Sequence, residues 1–557
     1  MPPAVGLWWD ANADDLVPEG RVPSGPDAQS AFMTIVEVEP RRGGSLALRV
    51  VQIGAIAVVL AVTMFHAFEL DRFFVPKELV LHLAAALAGL LALRALWRTN
   101  LTRVDLLLAG YLGLSALSAV MATNRWLAFR ALAVTASSIL LFWIARTLRD
   151  AGLARPLLGA LALAVVVAAA TSLLQTYGFD LEIFSESRAP GGTLGNRNFV
   201  AHVAAFGFPL LLLCTLRAAR RGTYLRWAIA TALVIATLVL TRSRAAWLAF
   251  AAVMLVLFVA MLISAPLRRD RGIWKRVAGL LVMTAAVVAL SLVVPNALRW
   301  HGRNPYLDSV HNLGEYSEGS GHGRIVQYGR SLLMSIRHPL FGVGPGNWPV
   351  VYPQRVPAND PSLDQTNGGM TANPWPSSDW IAAISERGIA AFVLLALAFL
   401  ALTTAALGQL RRAVDVQDAL NAAALVGILA GAVVAGTFDA VLLLAIPAMI
   451  VWTALGALSA HMEAPPRPTW RFIFVAVLAI SIAGAVRSAA QVVAMDLFAT
   501  HSDRASLLRA AQIDPGNFRL QLRIARMGGR TRCEHVRIAH ELFPAARAAA
   551  DAARGCR

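Results

Sequence analysis

The chain has 557 residues, of which 57% are apolar and only 15% are charged, and its mean hydropathy is +0.59. Soluble domains contain about 45–50% apolar residues, so this composition excludes an ordinary soluble protein and indicates a membrane protein. The net charge is +17, but no zinc-finger, basic-zipper or RNA-binding motif accompanies it, so we do not expect nucleic acid as a partner.

Residues 1–44 are polar and contain Pro and Gly, which predicts a disordered cytoplasmic tail, with Met33 as an alternative start. The remaining chain contains apolar runs of about 20 residues, each long enough to cross the hydrocarbon core of a bilayer. These runs do not alternate apolar and polar residues, which disfavours a transmembrane β-barrel. The predicted spans are 46–66, 78–97, 104–122, 127–146, 155–175, 197–216, 226–241, 244–264, 275–294, 388–407, 419–438, 440–460 and 470–489.

The predicted fold is therefore all-α, a polytopic membrane helical bundle with about 12–13 transmembrane helices. Residues 45–294 hold helices 1–9, 295–387 form one large loop, 388–489 hold helices 10–13, and 490–557 form a small helical segment. Arginine-rich links are typical of the cytoplasmic side, which places the loop and the C-terminus on the outer face of the membrane. Those links carry Arg94, Arg98 and Arg103; Arg217, Arg220, Arg221 and Arg226; and Arg268, Arg269, Arg271, Lys275 and Arg276.

One short turn carries unusual residues. Arg242 and Arg244 lie in TRSRAAW (241–247), on a very short outer turn where positive charge is disfavoured. They either extend to phospholipid head groups or bind a phosphate or diphosphate, whose oxygens match the forked donors of a guanidinium.

The C-terminal segment contains ASLLRAAQIDPGNFRLQLRIAR (505–526), which predicts a helix, a turn at 514–517 and a second helix. This unit resembles a tetratricopeptide repeat, and a simple helical hairpin is the alternative. Because one unit cannot bury its own apolar face, we expect it to pack on a neighbouring helix, the membrane domain or a protein partner. Cys533 and Cys556 share this segment, and they either form a disulfide or remain free thiols. Cys214 lies in an apolar run.

Four motifs resemble the O-antigen ligase and polymerase superfamily. They cover about residues 180–460 and occur in the order expected for that family on a matching topology. They are Gly191-Gly192-Thr193-Leu194-Gly195-Asn196-Arg197-Asn198 before a span, Ser243-Arg244-Ala245-Ala246-Trp247 opening a span, Gly323-Arg324 followed by SLLMSIRHPLFGVGPGNW (331–348), and Phe438-Asp439 with Pro447.

The resemblance implies transfer of a glycan from undecaprenyl diphosphate to lipid A core, a growing polysaccharide or a protein, without a metal or other cofactor. In this interpretation Arg242, Arg244 and Arg324 bind the diphosphate, together with Asn196 and Asn198. Arg244 and Arg324 are also the expected catalytic residues, because preorganised guanidinium groups stabilise a departing diphosphate. The loop contains no Asp-x-Asp motif, which agrees with a reaction that needs no divalent cation.

One expected feature is missing. The family has a His-Asn pair before the Glu-x-Gly that opens the next span, but Ser377 and Ser378 stand at those places. His311, His322 and Asp379 are therefore the candidates for a catalytic base or an acceptor-positioning residue. The nearby Trp375 and Trp380 either stack on sugar rings or lie in an aromatic belt at the membrane surface.

Two other functional classes remain open on sequence alone. A transporter or flippase of lipid-linked sugars would also be polytopic and bind phosphate, although no inverted repeat is visible. A non-catalytic scaffold that recruits a protein partner through its C-terminal helices would be compatible with the missing histidine.

Overall fold

The computed structural model describes residues 42–65, 71–97, 101–185, 188–300, 304–311, 319–364, 369–460 and 470–556. These residues form α-helices joined by turns and two short 3₁₀ helices, and no β-strand occurs among them. The predicted tail, residues 1–44, falls almost entirely outside this part of the chain. The all-α fold is thereby confirmed, and the helices are numbered in chain order.

Twelve of the helices in the described residues are long and apolar enough to cross a membrane. They are α1 (Arg42–Leu60), α2 (Asp71–Leu91), α4 (Arg103–Met121), α5 (Arg125–Asp150), α6 (Ala154–Thr176), α7 (Arg197–Leu216), α8 (Arg221–Leu240), α9 (Arg244–Ile263), α11 (Arg271–Val293), α16 (Ile389–Arg412), α17 (Val416–Phe438) and α19 (Trp470–Thr500).

The other helices are shorter or more polar and lie in the links, in the loop and at the C-terminus. They are α3 (Leu93–Leu96), α10 (Ala265–Arg269), α12 (Pro305–His311), α13 (Gly319–Arg337), α14 (Trp348–Val351), α15 (Asp379–Arg387), α18 (Ala445–Leu458), α20 (Arg504–Ile513), α21 (Phe518–Arg526), α22 (Arg532–Leu542) and α23 (Arg547–Arg554).

One predicted span differs from the structure. The run 440–460 becomes α18, a buried helix of 14 residues, which is about 21 Å long and shorter than a hydrocarbon core of about 30 Å. Residues 439–444, at the beginning of the apolar run, are not helical. The backbone N–H groups of Val441 and Leu442 donate instead to the carboxylate of Asp379. A long-range contact therefore replaces the first turn that the apolar run predicts.

Polar residues at the helix ends set the boundaries of the bundle. The Thr102 side chain accepts a hydrogen bond from the Asp105 N–H while the Asp105 carboxylate accepts one from the Thr102 N–H, a capping box that starts α4. The same carboxylate receives Arg146 at the end of α5. One buried carboxylate thus both starts a helix and holds two helices together.

The C-terminal segment packs on the large loop. A shared hydrophobic core contains Trp348 and Tyr352 from the loop and Leu522, Phe543 and Ala549 from the C-terminal helices. α19 has 31 residues, or about 46 Å, so it extends beyond the hydrocarbon core toward this segment. A disulfide joins Cys533 in α22 to Cys556. The loop and the C-terminal helices therefore lie at the same end of the bundle.

A candidate anion site and an adjoining cavity

The short turn between α8 and α9 holds Arg242 in a left-handed backbone conformation, with φ of 55°. This conformation is uncommon for a residue other than glycine, so tertiary contacts must hold it. The Arg242 guanidinium lies over the Trp300 ring, 4.9 Å from its centroid, and its Nε donates to the Ser309 hydroxyl at 2.9 Å. The turn is therefore clamped against the beginning of the large loop.

A second arginine contacts the same indole ring. Arg197, the first residue of α7, lies 4.8 Å from the Trp300 centroid, and its charge is repelled by both Arg188 and Arg242. None of these three arginines forms an ion pair with a carboxylate in the described part of the chain. Three positive charges thus converge without neutralisation, which is the electrostatic setting of an anion site. We call Arg188, Arg197 and Arg242 the arginine cluster.

Arg324 approaches α7 from the loop helix α13. It is half-buried and has no hydrogen bond or ion pair with any residue that the structure describes. Its charge acts on His202 of α7, a ring that is 1% exposed and lies 3.9 Å from the Asp439 carboxylate. Arg324 therefore faces the same helix as the arginine cluster. Arg244, the first residue of α9, is half-buried and follows the clamped turn directly.

The two predicted asparagines lie at the start of α7. Asn196 is the N-cap, and its side-chain oxygen accepts the Asn198 N–H at 3.0 Å. Asn196 is buried and Asn198 is half-buried. This cap orients the helix end that carries Arg197, so Asn196 supports the arginine cluster through the backbone.

The three candidates for the missing histidine occupy different environments. His311 at the end of α12 and His322 in α13 are both exposed, and neither has a hydrogen-bond partner among the described residues. Asp379 is 3% exposed. Burial raises the pKa of Asp379 to about 7, although the N–H groups of Leu442 and Val441 act against that rise. No described group of three or more His, Cys, Asp or Glu side chains is placed to hold a metal ion.

A cavity of about 640 Å³ lies between the large loop, the C-terminal segment and the nearby parts of α2, α5 and α19. Arg130 on its wall donates two hydrogen bonds to Glu78 and one to Asp71. Trp375 also lines the cavity, and its ring packs edge-on against Phe74 with centroids 5.1 Å apart. Arg188 belongs to both the cavity wall and the arginine cluster, so the two features adjoin.

Sequence reasoning identified Arg242, Arg244 and Arg324 but missed Arg188, Arg197, Trp300 and His202. Ionisable residues within apolar runs are themselves a functional signal, and that signal would have found His202 inside the predicted span 197–216. The contact of Arg197 with Trp300 has no local signal, because the indole comes about a hundred residues later in the chain. Trp380 packs between spans, with its Nε1 donating to the Val433 carbonyl.

Residues 229–396 match the family model described as O-antigen ligase. The matched segment runs from α8 into α16 and contains Arg242, Arg244, Arg324 and Asp379. No curated protein matches the chain, and the likeness of the C-terminal segment to a tetratricopeptide repeat stays a prediction. The resemblance expected from the four motifs is therefore confirmed over residues 229–396, and this O-antigen ligase domain supports a glycan-transferring membrane enzyme.

Proposed function

We propose that the protein transfers a glycan from an undecaprenyl-diphosphate-linked donor to an acceptor at the periplasmic face of the bacterial inner membrane. The acceptor is a lipid A core, a growing polysaccharide or a protein. The observation that carries the proposal is the arginine cluster, in which Arg197 and Arg242 share the Trp300 ring, Arg188 adds its charge to that of Arg197, and no carboxylate in the described part of the chain neutralises them. A ligand with several negative charges would relieve their mutual repulsion.

The charge of a diphosphate suits this setting. When an acceptor oxygen or nitrogen attacks the anomeric carbon, the bond from that carbon to the diphosphate oxygen breaks and negative charge develops on the leaving group. Arg244 lies at the outer end of α9, and Arg324 lies beside α7. Both guanidinium groups would stabilise that charge. Arg242, Asn196 and Asn198 would position the donor around the start of α7.

The acceptor must also lose a proton. His311, His322 and Asp379 are the proposed acceptors of that proton. A group with a pKa near the working pH is the most effective base, and the pKa of Asp379, about 7, fits that requirement. His311 ends α12, the loop helix before Arg324, and His322 lies in α13, the helix that contains Arg324.

Two features support a periplasmic orientation. The disulfide between Cys533 and Cys556 belongs to the same end of the bundle as the arginine cluster, and disulfides persist in oxidising compartments such as the periplasm. The arginine-rich links, such as the exposed Arg268 and Arg269, lie at the opposite helix ends, where the positive-inside rule favours the cytoplasm.

Replacement of Arg244 or Arg324 tests the proposal. Glycan transfer from a lipid-linked oligosaccharide to candidate acceptors is measured with purified variants at matched protein level. Arg244→Ala and Arg324→Ala should each lower the rate by about 10²–10³-fold, because each removes a preorganised donor to a developing anion. Arg244→Lys should recover only part of the activity, since lysine keeps the charge but not the forked donors.

Arg269→Ala is the matched control, because Arg269 is exposed at the opposite end of the bundle. We expect it to keep wild-type transfer. If Arg244→Ala were fully active, or if lysine served as well as arginine, contact with phospholipid head groups would explain the turn and the proposal would be wrong. Flipping of the lipid-linked sugar without product would favour the transporter.

A further inference from the structure

We propose that the 640 Å³ cavity binds an oligosaccharide and that the C-terminal helical segment forms the wall that selects it. Its volume lies within the range of about 300–1,000 Å³ that is typical of ligand pockets. The ligand is the sugar chain of the donor or of the acceptor. Only this assignment of the sugar to a donor or an acceptor rests on the function proposed above.

The charges around the cavity differ from those of the arginine cluster. The wall contains both arginine and carboxylate side chains in similar number, so the positive and negative charges nearly balance. Such a wall favours a ligand that is polar but nearly neutral, whereas a diphosphate requires an excess of positive charge. The lining charges are Arg130, Arg188, Arg487 and Arg519, with Asp71, Glu78, Asp364, Glu386 and Asp514.

Aromatic side chains supply flat apolar surfaces beside these polar groups. Trp126, Trp375 and Phe518 all line the cavity, and each is only half-buried. A pyranose ring has one apolar C–H face and a rim of hydroxyl groups. It is therefore bound well by a site that offers both aromatic surfaces and polar hydrogen-bonding groups. Apolar and aromatic lining with a few placed polar groups is the usual composition of a small-molecule site.

Arg487 provides a donor that the protein itself leaves partly unused. This side chain is 4% exposed and lies over the Trp126 ring, 4.9 Å from its centroid. A guanidinium has five N–H donors, but the described residues supply Arg487 with a single hydrogen-bond acceptor, Gln491, and leave its Nε without one. An unpaired buried donor is costly. Ligand hydroxyl groups would act as acceptors for this guanidinium.

The C-terminal segment is fitted closely to the cavity. Trp126 in α5 donates from Nε1 to Asp514, and a methyl group at Gly516 would lie 2.3 Å from the Trp126 Cβ. Asn517 and Phe518 follow on the same wall. Because the turn 514–517 touches Trp126, which also lines the cavity, we expect the position of the segment to affect the shape of the cavity.

Direct binding tests the proposal with full-length protein in detergent. Two probes are lipid-free oligosaccharides, one released from the lipid-linked donors of the producing cells and one released from their outer-membrane glycolipids. Trp375→Ala and Phe518→Leu should weaken binding of the cognate probe by about tenfold or more, as expected for removal of an aromatic contact. Trp380→Ala, a tryptophan outside the cavity, should bind as the wild type does. Trp375→Phe keeps an aromatic ring and should lose less than Trp375→Ala.

The outcomes separate this proposal from the proposed function. Inorganic pyrophosphate is the third probe, and its binding should depend on Arg242 and not on Trp375 or Phe518. If neither oligosaccharide binds, or if Phe518→Leu and Trp375→Ala bind as well as Trp380→Ala does, the cavity is not a sugar site. If an oligosaccharide binds as expected while no variant or wild-type protein transfers glycan, the proposed function fails and this inference stands. The probe that binds identifies the donor or the acceptor as the source of the sugar.

Discussion

Two sets of arginines in this protein carry the same charge in opposite surroundings. Arg146 is almost completely buried against Asp105, and Arg130 is held by both Glu78 and Asp71. Arg197 and Arg242 share an indole ring and repel each other, with no carboxylate partner in the described part of the chain. The comparison teaches that an ion pair with a carboxylate, and not burial alone, distinguishes an arginine that holds helices together from one that is available to a ligand.

The largest effect should come from breaking a paired arginine. Arg146→Ala leaves the Asp105 carboxylate buried without its cation, which typically lowers the free energy of unfolding by about 3–5 kcal/mol. Unfolding in mixed micelles with increasing sodium dodecyl sulfate measures this change. Arg269→Ala is again the control. A stability equal to that of the wild type would show that this pair does not hold α4 and α5 together.

Asp379 extends the comparison to an anion, because its carboxylate binds backbone N–H groups of the turn before α18 and forms no ion pair with a described residue. If Asp379 is the base, transfer requires its deprotonated form and should rise as the pH rises through about 7. Asp379→Asn should lower transfer by about 100-fold and abolish that rise. A pH profile that Asp379→Asn leaves unchanged would exclude this role, provided that the variant keeps its thermal stability.

Arg242→Gly separates binding from stability in the arginine cluster. Glycine adopts a positive φ without strain, and this gain offsets the missing interactions of the guanidinium with Trp300 and Ser309. The free energy of unfolding should therefore change by less than about 1 kcal/mol. Transfer should nevertheless fall by about tenfold, because the donor site has one positive charge fewer. A variant with undiminished transfer would place Arg242 among the purely structural arginines.

The smallest effects should come from the loop histidines. His311 and His322 are exposed, and no described residue orients either ring. We therefore expect His311→Asn and His322→Asn each to lower transfer by less than about tenfold, measured at the pH optimum of the wild type. A loss of about 10²–10⁴-fold in one of them would identify that histidine as the base.

The spans were predictable because the bilayer imposes a length and an apolar composition on each helix. The difference at 440–460 is instructive: the run is apolar throughout, but Asp379 binds the N–H groups of Val441 and Leu442 and delays the start of α18. The charge rule and the motifs found Arg242, Arg244 and Arg324. They did not find Trp300 or the cavity, because these depend on residues that only the folded chain brings together.

The clamped turn between α8 and α9 also has a consequence for how the protein is made. Trp300 and Ser309, the side chains that hold Arg242, are synthesised 58 and 67 residues after it. In the proposed orientation, the hairpin of α8 and α9 must therefore carry two arginines across the bilayer before the side chains that hold Arg242 are synthesised, against the usual charge preference. If that orientation holds, the charge preference alone orients this hairpin weakly during insertion, and we expect the loop that carries Trp300 and Ser309 to stabilise its final direction.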